Sequence, residues 1–221
     1  MEEIHNNQVN APHSRDLPAR DYPLAEFAGE LPKLLLASSS PRRSQILQMV
    51  DWPFELGVVE VDESLHDGEA ARAYVARLAV AKAEASAEVY AHRPVLAADT
   101  TVVIDEHILA KPVDADDAKR MLGLLQARWH QVQTGVALIS ASRTEVDVEM
   151  TEVRFAPMSD AEIEWYVSTN EPMDKAGAYA IQGIGARFIE SIKGDYFNVM
   201  GLPVRLVYEL VRRGTSVCDG W

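Results

Sequence analysis

The sequence predicts an α/β fold, and three observations carry that reading. A short apolar run, Leu34-Leu35-Leu36, passes through Ser38, Ser39 and Ser40 and turns at Pro41 into helical spacing. A long alanine-rich stretch over residues 68–90 is followed by the apolar run of residues 94–104, which reads as helix and then strand. Strand-like and helix-like segments go on alternating to residue 214, the pattern of an α/β domain.

The first strand hands over to a helix at Ser40 and Pro41, because serine suits an N-cap and proline the first helical position. Arg42 and Arg43 stand in that helix's first turn, where the partial positive charge of the helix end opposes them. A bound anion reverses the sign: free N–H groups, serine hydroxyls and two guanidinium forks make a phosphate site. The alternative is that both arginines are solvated surface residues. Ile46, Leu47 and Val50 give the helix an apolar face, Asp51-Trp52-Pro53 ends it, and residues 54–61 read as a strand running into Asp62 and Glu63. Over residues 68–90, Ala71, Val75, Leu78 and Lys82 are spaced four, three and four apart, so Lys82 falls on the buried face. It serves there as a functional ammonium or snorkels to the edge of that face.

Residues 94–104 are the clearest strand. Asp99 lies in its middle, where an aspartate is costly unless it is paired, metal-bound or open to a cavity. Residues 105–107 supply a hairpin turn, Ile108 and Leu109 resume the strand, and the fold-back would return Lys111 towards the level of Asp99. His107 reads as a turn residue. Asp114, Asp116 and Asp117 open a helix ending near Leu125; acids suit the positive end of its dipole, so they read as structural and not as a metal cluster.

Residues 132–139 and 146–155 alternate as antiparallel strands joined through residues 140–144. Ser159 and Glu162 form a capping box for a helix through Val167. Residues 170–184 lack periodicity, while Gly177, Gly183 and Gly185 permit close backbone approach. Gln182, among them, either reads a ligand edge or satisfies loop backbone. Residues 188–193 resume strand character. Residues 201–203 open a last helix, amphipathic through Leu206, Val207, Leu210 and Val211 and stopped at Gly214. Three domain segments follow: an irregular N-terminal extension over residues 1–32 with a docked piece near Tyr22 to Phe27, the α/β domain over 33–214, and a C-terminal tail over 215–221.

The 221 residues are ample for a real core. A formal net charge of −13 argues against polymeric nucleic acid as partner, since that needs an extended basic surface. A small anionic ligand remains open wherever basic residues converge locally. The single cysteine, Cys218, forbids an intramolecular disulfide and points to a reducing compartment. No apolar run approaches the roughly 20 residues that span a bilayer, so no membrane partner is expected. The basic-then-apolar pattern of a signal peptide is absent from the first residues.

Ser38, Arg42, Arg43, Glu63, Lys82, Asp99 and Lys111 are the chemistry-bearing set. Arginines and lysines neutralise phosphate oxygens and carboxylates bind a hard cation, so the set suits a nucleoside triphosphate with a divalent ion. The Walker pattern and the dinucleotide glycine fingerprint are both absent. No serine lies in a nucleophile-elbow pattern, and one cysteine with scattered histidines makes a poor zinc site.

Five motifs then carry a resemblance. Ala37-Ser38-Ser39-Ser40-Pro41-Arg42-Arg43, Ala98-Asp99-Thr100 and Lys111-Pro112 come first. Asp174-Lys175-Ala176-Gly177-Ala178-Tyr179-Ala180-Ile181-Gln182-Gly183 and Val199-Met200-Gly201-Leu202-Pro203 complete the series. In order and spacing the chain resembles the Maf family of nucleoside triphosphate pyrophosphatases over about residues 33–213. The resemblance implies a fold like that of inosine triphosphatase, an elongated twisted mixed sheet flanked by helices with a central cleft. It also implies hydrolysis of a nucleotide to the monophosphate and pyrophosphate, a divalent metal cation (Mg, Mn or Co), a homodimer and a cytoplasmic location. Some members were first described as inhibitors of septum formation.

Residue by residue, the resemblance makes Asp99 the acceptor of a proton from water, with a metal-ligand role also compatible. Arg43, Lys82 and Lys111 resemble triphosphate clamps, Ser38 a loop donor, and Glu63 a second carboxylate for metal or water. Arg42, Thr100 and Gln182 stand where the family divides by substrate, and all three match the branch similar to dTTP/UTP pyrophosphatases. The branch acting on 7-methyl-GTP has Trp, Gln and Glu there. The amide of Gln182 donates one hydrogen bond and accepts another, matching O4 and N3–H of uracil or thymine; a carboxylate only accepts, which suits a guanine edge. Ser39 and Ala110 depart from glycines common in the family. The rival expectations are a 7-methyl-GTP or purine-directed pyrophosphatase and a nucleotide-sensing regulator of cell division.

Overall fold

A computed structural model describes residues 31–90, 93–140 and 143–215. Most of the expected extension and tail, including the piece near Tyr22 to Phe27 and Cys218, lies outside the described residues. Seven strands form one mixed sheet: β1 (Leu34–Leu36), β2 (Phe54–Leu56), β3 (Val95–Ile104), β4 (His107–Leu109), β5 (Trp129–Ser140), β6 (Arg143–Phe155) and β7 (Ile189–Lys193). Their order is β2-β1-β3-β5-β6-β7, with β4 also on β3. β2 and β3 run parallel to β1, whereas β4 and β5 pair antiparallel with β3, as do β6 with β5 and β7 with β6.

Both faces are covered, which is why β3 reads as an almost unbroken apolar run. Six α-helices are described: α1 (Pro41–Met49), α2 (Ala71–Val89), α3 (Ala115–Leu125), α4 (Asp160–Ser168), α5 (Tyr196–Met200) and α6 (Val204–Thr215). The pleat sorts neighbours in sequence to opposite sides. Leu35, Val95, Ala97 and Ala137 pack against Ala79 and Ala83 of α2. Leu34, Leu36, Leu96, Ala98, Val136 and Leu138 pack on the other side with Ile46 and Leu47 of α1 and Leu206, Val207 and Leu210 of α6. Further along that side, Val102, Ile104, Val132 and Phe155 meet Met121 and Leu122 of α3 and Ile163 of α4. A fully buried Leu or Ile stabilises by about 1.5–3 kcal/mol, so Leu34, Leu36, Ile46 and Leu47 pin the β1–α1 loop between them.

Helix α2 comes unusually close to the sheet. A Cβ at Gly135 of β5 would lie 2.3 Å from the Val75 carbonyl oxygen, so glycine is what lets the helix backbone rest on the strand.

Several local expectations are corrected. Strand β2 stops at Leu56, not residue 61, because its partner β1 has only three residues to pair with. The hydroxyl of Ser40 does not cap α1; Ser38 Oγ accepts from the Ser40 N–H at 3.2 Å instead. Gly201 does not open the last helix. With φ of 104° it closes α5, a short helix the sequence did not announce, and α6 begins at Val204. Gly214 lies within α6, which runs on to Thr215. The Asp114 side chain caps α3 by accepting from the Asp117 N–H at 2.8 Å, and Ser159 with Glu162 forms the full capping box of α4.

Candidate active site

The site lies where β3 loses its neighbours along one edge. On that edge β1 pairs with Val95 and Leu96, and β4 pairs with Val102 to Ile104; the register leaves Asp99 and Thr100 between them. On the opposite edge Asp99 faces Gly135 and Thr100 faces Thr134 of β5. A cavity of about 870 Å³ opens at this gap. Ser38, Arg42, Arg43, Glu63, Lys82, Asp99, Thr100, Lys111 and Gln182 all line it, so the structure brings the chemistry-bearing and substrate-dividing positions to one cavity.

Alternation along β3 sends Asp99 to the α2 side and Thr100 to the α1 side. Asp99 is only 9% exposed, and Lys82 Nζ of α2 lies 2.6 Å from its Oδ1. The same ammonium is 2.6 Å from Glu63 Oε1, in the loop before α2, where the Tyr74 hydroxyl donates to the Glu63 carbonyl at 2.9 Å. Lys82 is therefore not a snorkelling lysine; it bridges two carboxylates. Burial raises the Glu63 pKa, but the Lys82 ammonium, supported by Lys111 and Arg43, outweighs it and holds the carboxyl below its usual range. Lys111 is exposed, two residues beyond Leu109, which pairs with Val102, so the β4 fold-back does carry it towards the level of Thr100.

On the other side of β3, Arg43 is buried and not solvated. Its Nε donates to the Gly201 carbonyl at 2.8 Å, and its two terminal nitrogens donate to Ser38 Oγ at 3.0 Å and Thr100 Oγ1 at 3.2 Å. All three acceptors are neutral, and among the described residues Arg43 forms no ion pair. Burial lowers its pKa and the nearby Asp99 charge works against that shift. A guanidinium fixed by neutral oxygens keeps its charge available to an anion in the cavity. Thr100 Oγ1 is in turn 2.9 Å from Thr134 Oγ1, which donates to the Asn198 carbonyl at 3.2 Å. This chain ties α1, β3, β5 and α5 together.

Arg42 points elsewhere. It donates to Asp174 Oδ2 at 3.1 Å, across 132 residues of sequence. Asp174 also receives Lys175, whose Nζ donates to the Glu171 carbonyl at 2.7 Å. Asp174 and Lys175 line the cavity but were assigned no role from the sequence, although both stand in a quoted motif. Gln182 is exposed at the rim, and among the described residues its amide makes no hydrogen bond.

The three glycines of this region each explain a close approach. A Cβ on Gly177 would press on Val102, one on Gly183 on the Glu171 carboxylate, and one on Gly185 on the Tyr166 hydroxyl. Glu171 was missed because nothing in its local sequence marks a carboxylate that binds backbone N–H groups.

The two carboxylates also fit a divalent cation. Oxygens of Glu63 and Asp99 already converge on one positive centre, the Lys82 ammonium, and oxygen-only donors suit a hard cation. Among the described residues no group of three or more His, Cys, Asp or Glu side chains forms a complete ligand set, so water or phosphate oxygens would have to supply the rest.

The chain is similar over most of its length to proteins of known family. The dTTP/UTP pyrophosphatase of Symbiobacterium thermophilum is 50% identical over 189 residues, covering 85% of this chain and 97% of that protein. The dTTP/UTP pyrophosphatase of Bacillus cytotoxicus is 49% identical over 179 residues, covering 80% and 94% respectively. Among solved structures, the Staphylococcus aureus Ham1 protein matches 82% of this chain and 98% of its own at 14% identity with a TM-score of 0.46, too distant to bear on the site. The family model described as Maf-like protein matches residues 33–214, the segment that holds the whole cavity lining, and the chain belongs to the Maf family.

Proposed function

We propose that the protein hydrolyses dTTP and UTP, and modified pyrimidine triphosphates of the same base edge, to the monophosphate and pyrophosphate. The observation that carries this reading is the opposition of charge across one cavity. A carboxylate pair, Asp99 and Glu63, stands on the α2 side of β3, and on the other stands a buried guanidinium that meets no carboxylate among the described residues. The two relatives, both dTTP/UTP pyrophosphatases, support the choice of nucleotide.

Arg43, Lys82 and Lys111 neutralise the phosphates, with the Ser38 loop and the start of α1 beneath them. One oxygen of Asp99 is bonded to Lys82, which leaves the carboxylate's second oxygen to take a proton from the water that attacks the α-phosphorus. The leaving pyrophosphate gathers negative charge as the bond breaks, so cations fixed around it favour the transition state over bound substrate. Mg, Mn or Co would be held by Glu63, with Asp99 a further ligand where its carboxylate is not the base, and would supply charge neutralisation at the phosphates. Gln182 presents at the rim an amide that makes no hydrogen bond among the described residues, matched to O4 and N3–H of uracil or thymine. A homodimer and a cytoplasmic location belong to the same proposal, from the family resemblance; no described helix is long and apolar enough to cross a membrane.

A nucleotide panel with pyrophosphate readout, run with Mg, Mn and Co and after chelation, tests the reading. We expect dTTP and UTP to lead, chelation to abolish turnover, and Asp99→Asn to lower kcat by about 100-fold or more, the range of a lost general base. Preference for 7-methyl-GTP or a purine triphosphate would overturn the substrate choice. A division phenotype that survives Asp99→Asn would show that regulation does not need catalysis.

A further inference from the structure

We propose that Glu171 is a positioning residue for base selection, its carboxylate being the template on which the loop carrying Gln182 is folded. This rests on the reading of Gln182 as the side chain that meets the base.

Glu171 opens a four-residue 3-10 turn, Glu171–Asp174, and does not itself line the cavity. Its Oε2 accepts from the Ile184 N–H at 2.8 Å; its Oε1 accepts from the Gly185 N–H at 2.9 Å and from the Tyr166 hydroxyl at 2.8 Å. The Tyr166 oxygen accepts in turn from the Ala180 N–H at 3.2 Å. Both ends of the segment 180–185 are therefore tied to one phenol–carboxylate pair, and Gln182 rides at its middle with its side chain exposed.

The fit is tight. A Cβ on Gly183 would come 2.1 Å from Glu171 Oε2, and one on Gly185 would come 2.5 Å from the Tyr166 oxygen. At these two positions there is room only for the backbone, wrapped on the carboxylate and its phenol partner. Burial raises the Glu171 pKa, but the Gly185 and Ile184 N–H groups and the Tyr166 hydroxyl outweigh it and keep the group ionised, an acceptor at both oxygens.

The carboxylate is itself fixed, because Lys175 Nζ donates to the Glu171 carbonyl and the Glu171 N–H donates to Thr169 Oγ1 at 3.3 Å. The same turn ends at Asp174, which holds Arg42. One short turn thus places two of the three side chains at which the family divides by substrate.

The test is a double-mutant cycle on the full chain, with KM for dTTP and UTP read against KM for a deoxyribose 5-triphosphate that carries no base. The base-dependent ratio isolates the rim contact from the phosphate clamp. Gln182→Ala is expected to worsen that ratio about tenfold, and Glu171→Gln, which keeps the shape but turns an N–H donor towards backbone donors, about three- to tenfold. The double variant is expected to match Gln182→Ala alone, since Glu171 acts through that side chain. Tyr166→Phe keeps the ring and removes both hydroxyl bonds, so it reports the same shift if Glu171→Gln fails to fold. Additive effects, or equal losses on the abasic substrate, would overturn the proposal by showing a general structural role. An unmoved ratio in Gln182→Ala would overturn the underlying reading of Gln182 as well.

Discussion

Arg43 concentrates the design of the site in one side chain. Buried guanidinium groups usually meet a carboxylate, yet this one is held by the Gly201 carbonyl and the Ser38 and Thr100 hydroxyls, one from each of three segments. Its planar fork fits three acceptors at once, whereas a lysine ammonium on a longer swing satisfies them poorly. Arg43→Lys should therefore cost about 2–4 kcal/mol of stability through the oxygens left without donors. It should also lower kcat/KM by about 100-fold. Urea unfolding and steady-state kinetics on the same preparation check both, and an active variant of wild-type stability would contradict this account.

Among the elements, α2 has the most exacting seat. Its stripe of Val75, Leu78, Ala79 and Ala83 is buried, and the helix backbone rests on Gly135. Lys82 reaches Asp99 and Glu63 only because that contact sets the distance between helix and sheet. Gly135→Ala should push α2 off β5, destabilise the fold by about 1–3 kcal/mol or more, and lower kcat by separating Lys82 from Asp99. Gly123→Ala is the control. It lies in α3, where an added Cβ meets nothing within 4 Å, and should stabilise by about 0.5–1 kcal/mol while leaving turnover alone. Thermal melts and kinetics of the two variants separate close approach from helix propensity.

At the scale of the whole molecule, the sheet splits along one edge of β3, and the site fills the split. A chain of net charge −13 offers a polyanion no long-range attraction, so affinity depends on the local gathering of Arg42, Arg43, Lys82, Lys111 and Lys175 around the cavity. Those residues come from α1, α2 and the segments after β4 and α4, so the proposed triphosphate would cross-link these parts of the fold. A nonhydrolysable UTP analogue at about 100 times its Kd should add about 2.7 kcal/mol to stability. For a domain of this size that is a rise in Tm of about 5–10 °C. Differential scanning calorimetry with and without the divalent ion reads it, and an unmoved melt at saturation would argue against the cavity as the nucleotide site.

Features encoded over a few residues were legible in the sequence. Pro41 opens α1, Ser159 and Glu162 cap α4, the spacing of Val75, Leu78 and Lys82 marks the buried face of α2, and Asp99 stands out because a carboxylate inside a strand needs a partner. Caps, periodicity and desolvation cost act locally, so they can be read without a fold. Other features needed the register of the sheet. Only the pairing of β1, β4 and β5 with β3 leaves Asp99 and Thr100 at an open edge and sends them to opposite faces, one to Lys82 and the other to Arg43. The pair of Arg42 with Asp174 and the capture of the 183–185 backbone by Glu171 join segments that no local pattern links. A side chain's partner is chosen by what the folded chain brings within about 3 Å, and that choice is made in three dimensions.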